Sequence, residues 1–410
     1  MKLQEIKRTA LVALWFMFLT FPILVIKVNT ITQTIDWRWN TMIFLGIGTF
    51  VGGLVWRWAL ARRKSPATAP VAKVVTAETA PKVGLKAKLT SPALRIPFIA
   101  AGLLLVVVFP LLASLYQTNV MITALIYVML ALGLNIVIGL GGMLHLGYIA
   151  FFAVGAYTYG ILFRFFDIGF WVALPIAAVM STLAGVLLAL PVLRLRGDYL
   201  AIVTLGFAEI VRIVLNNATE LSGGPAGIRG IPRPILAGIT MNLATVSVYI
   251  YYIIILAVAL TIFIVWRFEN SRIGRALVAM GEDDIAAEAM GIDITRVKLT
   301  AFALGSFLAG VAGVIFASRT TFINPASFTV WQSIIVLSCV VLGGMGSIPG
   351  VILGALGLIL IPEYLRAFAD YRMLIFGAVL VLMMVFRPGG IIQKKRKAYT
   401  FDASVLEEKV

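Results

Sequence analysis

The strongest constraint on this chain is a recurring one: apolar runs of about 20 residues, separated by short polar or glycine-rich joints. A bilayer core is about 30 Å thick and an α-helix rises about 1.5 Å per residue, so each run has the length of one membrane crossing. The runs are apolar throughout instead of alternating, and many joints are short, which excludes a transmembrane barrel. Inside lipid a lone segment satisfies its own backbone only as a helix. The expected fold class is therefore an all-α polytopic membrane protein. The charged share of 13% and mean hydropathy of +1.02 agree with that reading.

Two runs, about 9 to 28 and 40 to 60, come first and make residues 1–61 a pair of amino-terminal transmembrane helices. The first run is too long for a signal-peptide core and is expected to remain as an anchor. Residues 62–95 are rich in Ala, Pro and Lys and lack hydrophobic periodicity, so they read as a flexible linker. Their eight Lys or Arg place the linker, and the amino terminus with it, in the cytoplasm. Ten core spans are then expected within 96–390, at about 96–116, 119–140, 143–164, 170–190, 199–215, 246–266, 299–318, 329–343, 350–367 and 372–387. Residues 391–410 form a cytoplasmic tail. This path also puts LRLRGD (193–198) and the segment of about 268–298 on the inner side, each with Arg or Lys, and leaves SGGPAGIRGIPRP (222–234) in the longest outer loop. The joints GLGGMLHLG (139–147) and LGGMGSIPG (342–350) read as tight turns, or as echoes of an internal repeat.

The segment ALVAMGEDDIAAEAMGI (276–292) breaks the apolar pattern, since six of the 18 acidic residues fall between Glu269 and Asp293. Gly281 is expected to start a helix whose first turn holds Glu282, Asp283 and Asp284, where the positive end of the helix dipole favours carboxylates. Ala286, Ala287 and Glu288 continue it, Ile285, Ala289 and Ile292 form a narrow apolar stripe, and Gly291 stops it. A helix this short is marginal alone. Its stripe points to docking, and its acidic face is repelled by an anionic leaflet, which favours a protein partner over lipid headgroups.

The stretch RIGRALVAMGEDDIAAEAMGIDITRVKLTAFALGSFLAG (272–310) resembles the cytoplasmic coupling loop of permease subunits of bacterial ABC importers of the branched-chain amino acid (LIV) type. The family's loop runs Glu-Ala-Ala, three residues, Gly; Ala286, Ala287 and Gly291 match, while Ile285 stands at the glutamate position with Asp284 before it. ALGLNIVIGLGGMLHLGYIAFFAVGAYTYG, LRGDYLAIVTLGFAEIVRIV, SGGPAGIRGIP and VLGGMGSIPG resemble the same family in the same order, and the amino-terminal spans fit its LivM-type subunit. The resemblance implies import of leucine, isoleucine and valine. It also implies a pore shared with a LivH-type permease, two LivG/LivF-type ATPases, a periplasmic binding protein, and a place in the bacterial inner membrane. ATP is then bound by the partners, consistent with the absence of any Gly-Lys dipeptide and hence of a phosphate-cradling loop.

Glu209 and Arg212 lie three apart in a short run, so they share a helix face. They are either a pathway pair suited to a zwitterionic substrate or an arginine snorkelling outward with a carboxylate to neutralise it. A single His145 and a single Cys339 leave no metal set or disulfide framework, and no catalytic cluster marks an enzyme. The net charge of +16 sits mostly beside the spans, where it sets topology rather than binding nucleic acid. The alternative transport class is a secondary amino-acid transporter, with Glu209 as its ion-coupling carboxylate.

Overall fold

The computed structural model describes residues 26–29, 34–37, 106–192, 195, 197–234, 242–364 and most of 377–392. Contacts divide the chain into two units, Met1–Lys88 and Leu89–Val410. In the first, β1 (Ile26–Asn29) and β2 (Thr34–Trp37) form an antiparallel hairpin with Ile26 opposite Trp37. The hairpin takes the end of the first apolar run, while the rest of both amino-terminal runs, the linker and the extreme carboxyl tail lie outside the described residues.

The second unit is helical. Its main elements are α1 (Leu115–Asn135), α2 (Ile149–Phe166), α3 (Phe170–Val192), α4 (Gly197–Asn217), α5 (Thr219–Ser222), α6 (Leu243–Glu269), α7 (Arg272–Glu282), α8 (Asp284–Ala289), α9 (Ile294–Thr320), α10 (Val330–Gly343) and α11 (Ile348–Tyr364). Among the described residues six stretches are long and apolar enough to cross a membrane: Leu115–Leu140, Ile149–Phe166, Phe170–Val192, Ala244–Glu269, Ile294–Thr320 and Pro325–Gly343. The run expected at 199–215 is the helix α4, which is not among the six, and α11 is a shorter apolar helix.

Two boundaries move for local reasons. Helix residues 106–112 stop before Ser114, whose hydroxyl accepts from the Gln117 N–H at 3.3 Å while the Ser114 N–H donates to Gln117 Oε1 at 3.0 Å. That reciprocal cap starts α1 four residues before the expected position. The run expected to begin at 143 becomes helical only at Ile149, because Gly142 takes φ +64° and residues 142–147 stay irregular.

At the centre stands α9, packed most extensively against α3 and α2. Small residues make this possible: a Cβ on Gly155 would collide with the Gly310 backbone, one on Gly313 with the Phe152 carbonyl, and one on Gly185 with Ser306. The Ser181 hydroxyl bridges α3 to α2 by donating to the Phe151 carbonyl at 2.7 Å. The GSFLAGVAG cluster of α9 is therefore a helix-crossing surface.

The glycine joints gather at one end of the bundle. After α1 comes a single π-helical turn, Ile136–Leu140, and then the joint 141–148. Buried Asn135, at the end of α1, accepts from the Gly346 N–H at 2.8 Å, and a Cβ on Gly139 would strike that same nitrogen, so the first joint touches the second. Residues 391 and 392 return to the same place, their N–H groups donating to the Leu342 and Gly343 carbonyls at 2.9 and 3.1 Å. At the opposite end β3 (Ile228–Arg229) pairs with β4 (Phe322–Ile323), joining the SGGPAGIRGIPRP loop to the end of α9.

Candidate functional site

The polar connection between α6 and α9 is two helices where the sequence suggested one. Ser271 caps α7, accepting from the Gly274 N–H at 3.0 Å. Gly274 fits because any Cβ there would strike the Phe268 carbonyl, so α6 can turn directly into α7. The buried face of α7 is Gly274, Leu277 and Met280, spaced by three along the helix. Leu277 packs at Gly141 and Gly281 lies over the Leu140 and Gly141 carbonyls, which seats the connection on the first joint.

Gly281 and Glu282 therefore end α7 instead of beginning the acidic helix. The start is Asp283, whose carboxylate accepts from the Ile285 and Ala286 N–H groups, both at 3.0 Å. The residue terminates one helix and caps the next, so of the three carboxylates only Asp284 lies in the first turn of α8. A capping carboxylate adds about 1 kcal/mol to its helix. Asp283→Ala is expected to leave the chain inserted but speed hydrogen exchange at Ile285 and Ala286 about fivefold, a change measurable by mass spectrometry.

The end of α8 explains a further difference. Gly291 sits at φ +83°, its N–H donating to the Glu288 carbonyl at 2.9 Å while the Ile292 N–H donates to the Ala287 carbonyl at 3.1 Å. This paired closure brings the residue after the glycine back over the last turn. Ile292 thus packs inward with the core, as does Ala287 at 5% exposure. Ile285 and Met290 are 66% and 83% exposed, and Ala289 and Glu288 are exposed with them. The expected stripe of Ile285, Ala289 and Ile292 is split: the first two face outward with Met290, and the third anchors the connection. Asp293 accepts from the Arg296 N–H at 3.1 Å to start α9. Beside that contact the connection, the joint and the start of α4 line a cleft of about 430 Å³, with Asp198, Glu282, Asp283, Asp284 and Lys298 on its walls.

Leu146 donates from its N–H to the Thr204 hydroxyl of α4 at 3.1 Å, and Ile149 to the Ser333 hydroxyl of α10 at 3.1 Å, so the joint is clamped on several sides. Within it His145 is 1% exposed and burial pushes its pKa down to about 3, leaving the imidazole neutral.

Glu209 and Arg212 do meet. The Arg212 Nε donates to both carboxylate oxygens at 2.9 and 3.0 Å, and Nη2 adds a third contact. Their side chains remain 37% and 31% exposed, beside the inward face formed by Leu200, Thr204 and Ala208. At the opposite end a cleft of about 960 Å³ lies between the end of α2 and the 219–229 loop, with Arg164, Asp167 and Arg229 on its walls.

A bundle of helices of this length and apolarity, carrying a capped, partly apolar connection on one end, defines a polytopic membrane protein. Residues 116–384 match the family described as branched-chain amino acid transport system / permease component, and the chain belongs to that family. It is 44% identical over 319 residues to the high-affinity branched-chain amino acid transport system permease protein LivM of Salmonella typhimurium, covering 73% of this chain and 75% of that protein. The Escherichia coli protein of the same name is 45% identical over the same shares. The autoinducer 2 import system permease protein LsrC of Escherichia coli is 28% identical over 228 residues, 52% of this chain and 64% of its own. No solved structure matches.

Proposed function

We infer that this chain is the membrane-spanning permease subunit of a binding-protein-dependent ABC importer for branched-chain amino acids, in the bacterial inner membrane. The observation that carries the coupling role is the outward apolar face of α8, Ile285, Ala289 and Met290, set beside the exposed Glu282, Asp283 and Glu288. Such a face is suited to insertion into a cleft on an ATPase subunit. In this reading the α7–α8 end is cytoplasmic, ATP is bound by two LivG/LivF-type partners, and a LivH-type permease completes the pore. The opposite end meets the periplasmic binding protein. The domain plan is two amino-terminal spans (1–61), a basic linker (62–95), a ten-span core (96–390) and a cytoplasmic tail (391–410), with both termini inside. Family membership does not favour the secondary-transporter alternative.

Uptake of labelled leucine by vesicles holding this chain, its partner permease and ATPases, with binding protein outside, tests the reading. It should require internal ATP and be competed by isoleucine and valine but not lysine. Uptake driven by an ion gradient without ATP would contradict it. In the same assay Glu209→Gln is expected to lower uptake severalfold at unchanged complex yield, because a partly exposed ion pair in the middle of a mostly apolar helix is suited to a wet pathway. Wild-type uptake by both Glu209→Gln and the double change with Arg212→Gln would reduce the pair to charge balance.

A further inference from the structure

His145 is a buried polar group that neither the fold nor the coupling segment uses, and among the described residues it leaves two ring nitrogens unpartnered. A neutral imidazole carries one N–H donor and one acceptor nitrogen, yet neither Nδ1 nor Nε2 has a hydrogen-bond partner among the described residues. The ring lies 5.5 Å from Phe151 with planes 19° apart, and meets Phe302 and Tyr148 edge-on at 5.3 and 6.1 Å. Those rings enclose it as they would enclose a phenyl group. Leaving both nitrogens without a protein partner is a cost that a phenylalanine here would avoid, and a buried group of this kind calls for a reason.

Its place supplies one. The 141–148 joint links α1 to α2 in the chain, and the coupling connection rests on its first residue. Gly281 of α7 rests on Gly141, and on the far side of His145 the Leu146 N–H is held by Thr204 of α4, one and a half turns from Glu209. Next to the ring the Tyr148 hydroxyl holds α9 by donating to the Gly305 carbonyl at 2.8 Å. A π-helical turn immediately precedes the joint, a geometry found frequently at functional sites. The few residues that carry this ring thus touch α7 at one end and α4 at the other.

We propose that His145 is a positioning residue of the transport cycle, whose ring nitrogens make their hydrogen bonds only when the joint has shifted with the coupling helices, so that they stabilise that second state. The ring is held in reserve in the state described here. Its polarity then acts on the balance between two conformations and leaves the fold of the resting one untouched.

The inference rests on the ATP-driven reading above. The test uses the assembled importer in vesicles and measures substrate carried per ATP hydrolysed. His145→Phe keeps the aromatic packing and removes both nitrogens; it should assemble at least as well as the unsubstituted chain and lower that ratio about tenfold, the effect of one lost hydrogen bond in a single state. His145→Gln, with a donor and an acceptor, should recover most of the ratio. A wild-type ratio in His145→Phe overturns the proposal. So does failure of His145→Phe to assemble, since the nitrogens would then be holding the resting fold. The two readings fail separately: absence of ATPase subunits beside the unsubstituted chain strikes the importer assignment, whereas a normal ratio in the variant strikes only the role of His145.

Discussion

Ala289→Arg is expected to strip the ATPase subunits from the purified complex while the chain remains fully inserted. Ala289 is exposed on α8 beside Ile285 and Met290, so arginine fits there without disturbing the chain's own packing. Its charge meets trouble only when a partner covers it. Burying an unpaired charge in an apolar contact costs about 3 kcal/mol or more, a loss of over a hundredfold in affinity. Co-purification of the ATPases followed by ATP-driven uptake measures the result. Asp283→Lys acts differently from a rim charge change, because the residue is the cap of α8. It should weaken docking less than Ala289→Arg, by loosening the helix that presents the contact. Retention of the ATPases and normal transport by Ala289→Arg would reduce the connection to a solvated loop.

Gly155→Leu should lower the yield of folded protein roughly tenfold or more, because overpacking a tight helix crossing costs about 1 to 3 kcal/mol even for modest additions. At this position the added atoms meet the backbone of Gly310, which cannot rotate away as a side chain would. Gly206→Leu is the matched control: a Cβ there meets nothing within 4 Å, so the same volume should be tolerated in the isolated chain. Detergent-extracted yield and thermal unfolding of the two variants give the comparison. Equal yields would show that the α2–α9 crossing is looser than described.

What the sequence made legible follows from how strongly local chemistry dominates each feature. Helical class was readable because lipid leaves an apolar run of that length no other way to satisfy its backbone. Gly291 as a stop was readable because the left-handed residue that closes a helix is most often glycine. The partition of the acidic segment was not, although its signal was present: Ser271 before Gly274, Leu277 and Met280 marks a capped amphipathic helix that the carboxylates drew attention away from. Ile292 was misplaced because helical periodicity was carried past the glycine, where the chain reverses. Proximity in sequence made the Glu209–Arg212 contact readable, whereas its role depends on what covers α4. The isolation of His145 and the bond between Asn135 and Gly346 depend on segments far apart in sequence, and periodicity in one chain carries no trace of them.

The central claim is that the outward face of α8 is covered by an ATPase subunit, and site-directed cross-linking addresses it most directly. Cys339 is the chain's one cysteine and is buried, so Cys339→Ser gives a background for single cysteines at Ile285, Ala287, Ala289 and Met290. In membranes containing the whole importer, a short thiol-to-amine cross-linker should join positions 285, 289 and 290 to an ATPase subunit. Position 287, which faces this chain's own core, should stay uncoupled. When the ATPases are omitted the cross-linked product is lost, and labelling by a water-soluble maleimide should rise at 285, 289 and 290. Equal labelling with and without the ATPases, and no cross-link from the outward positions, would contradict the account.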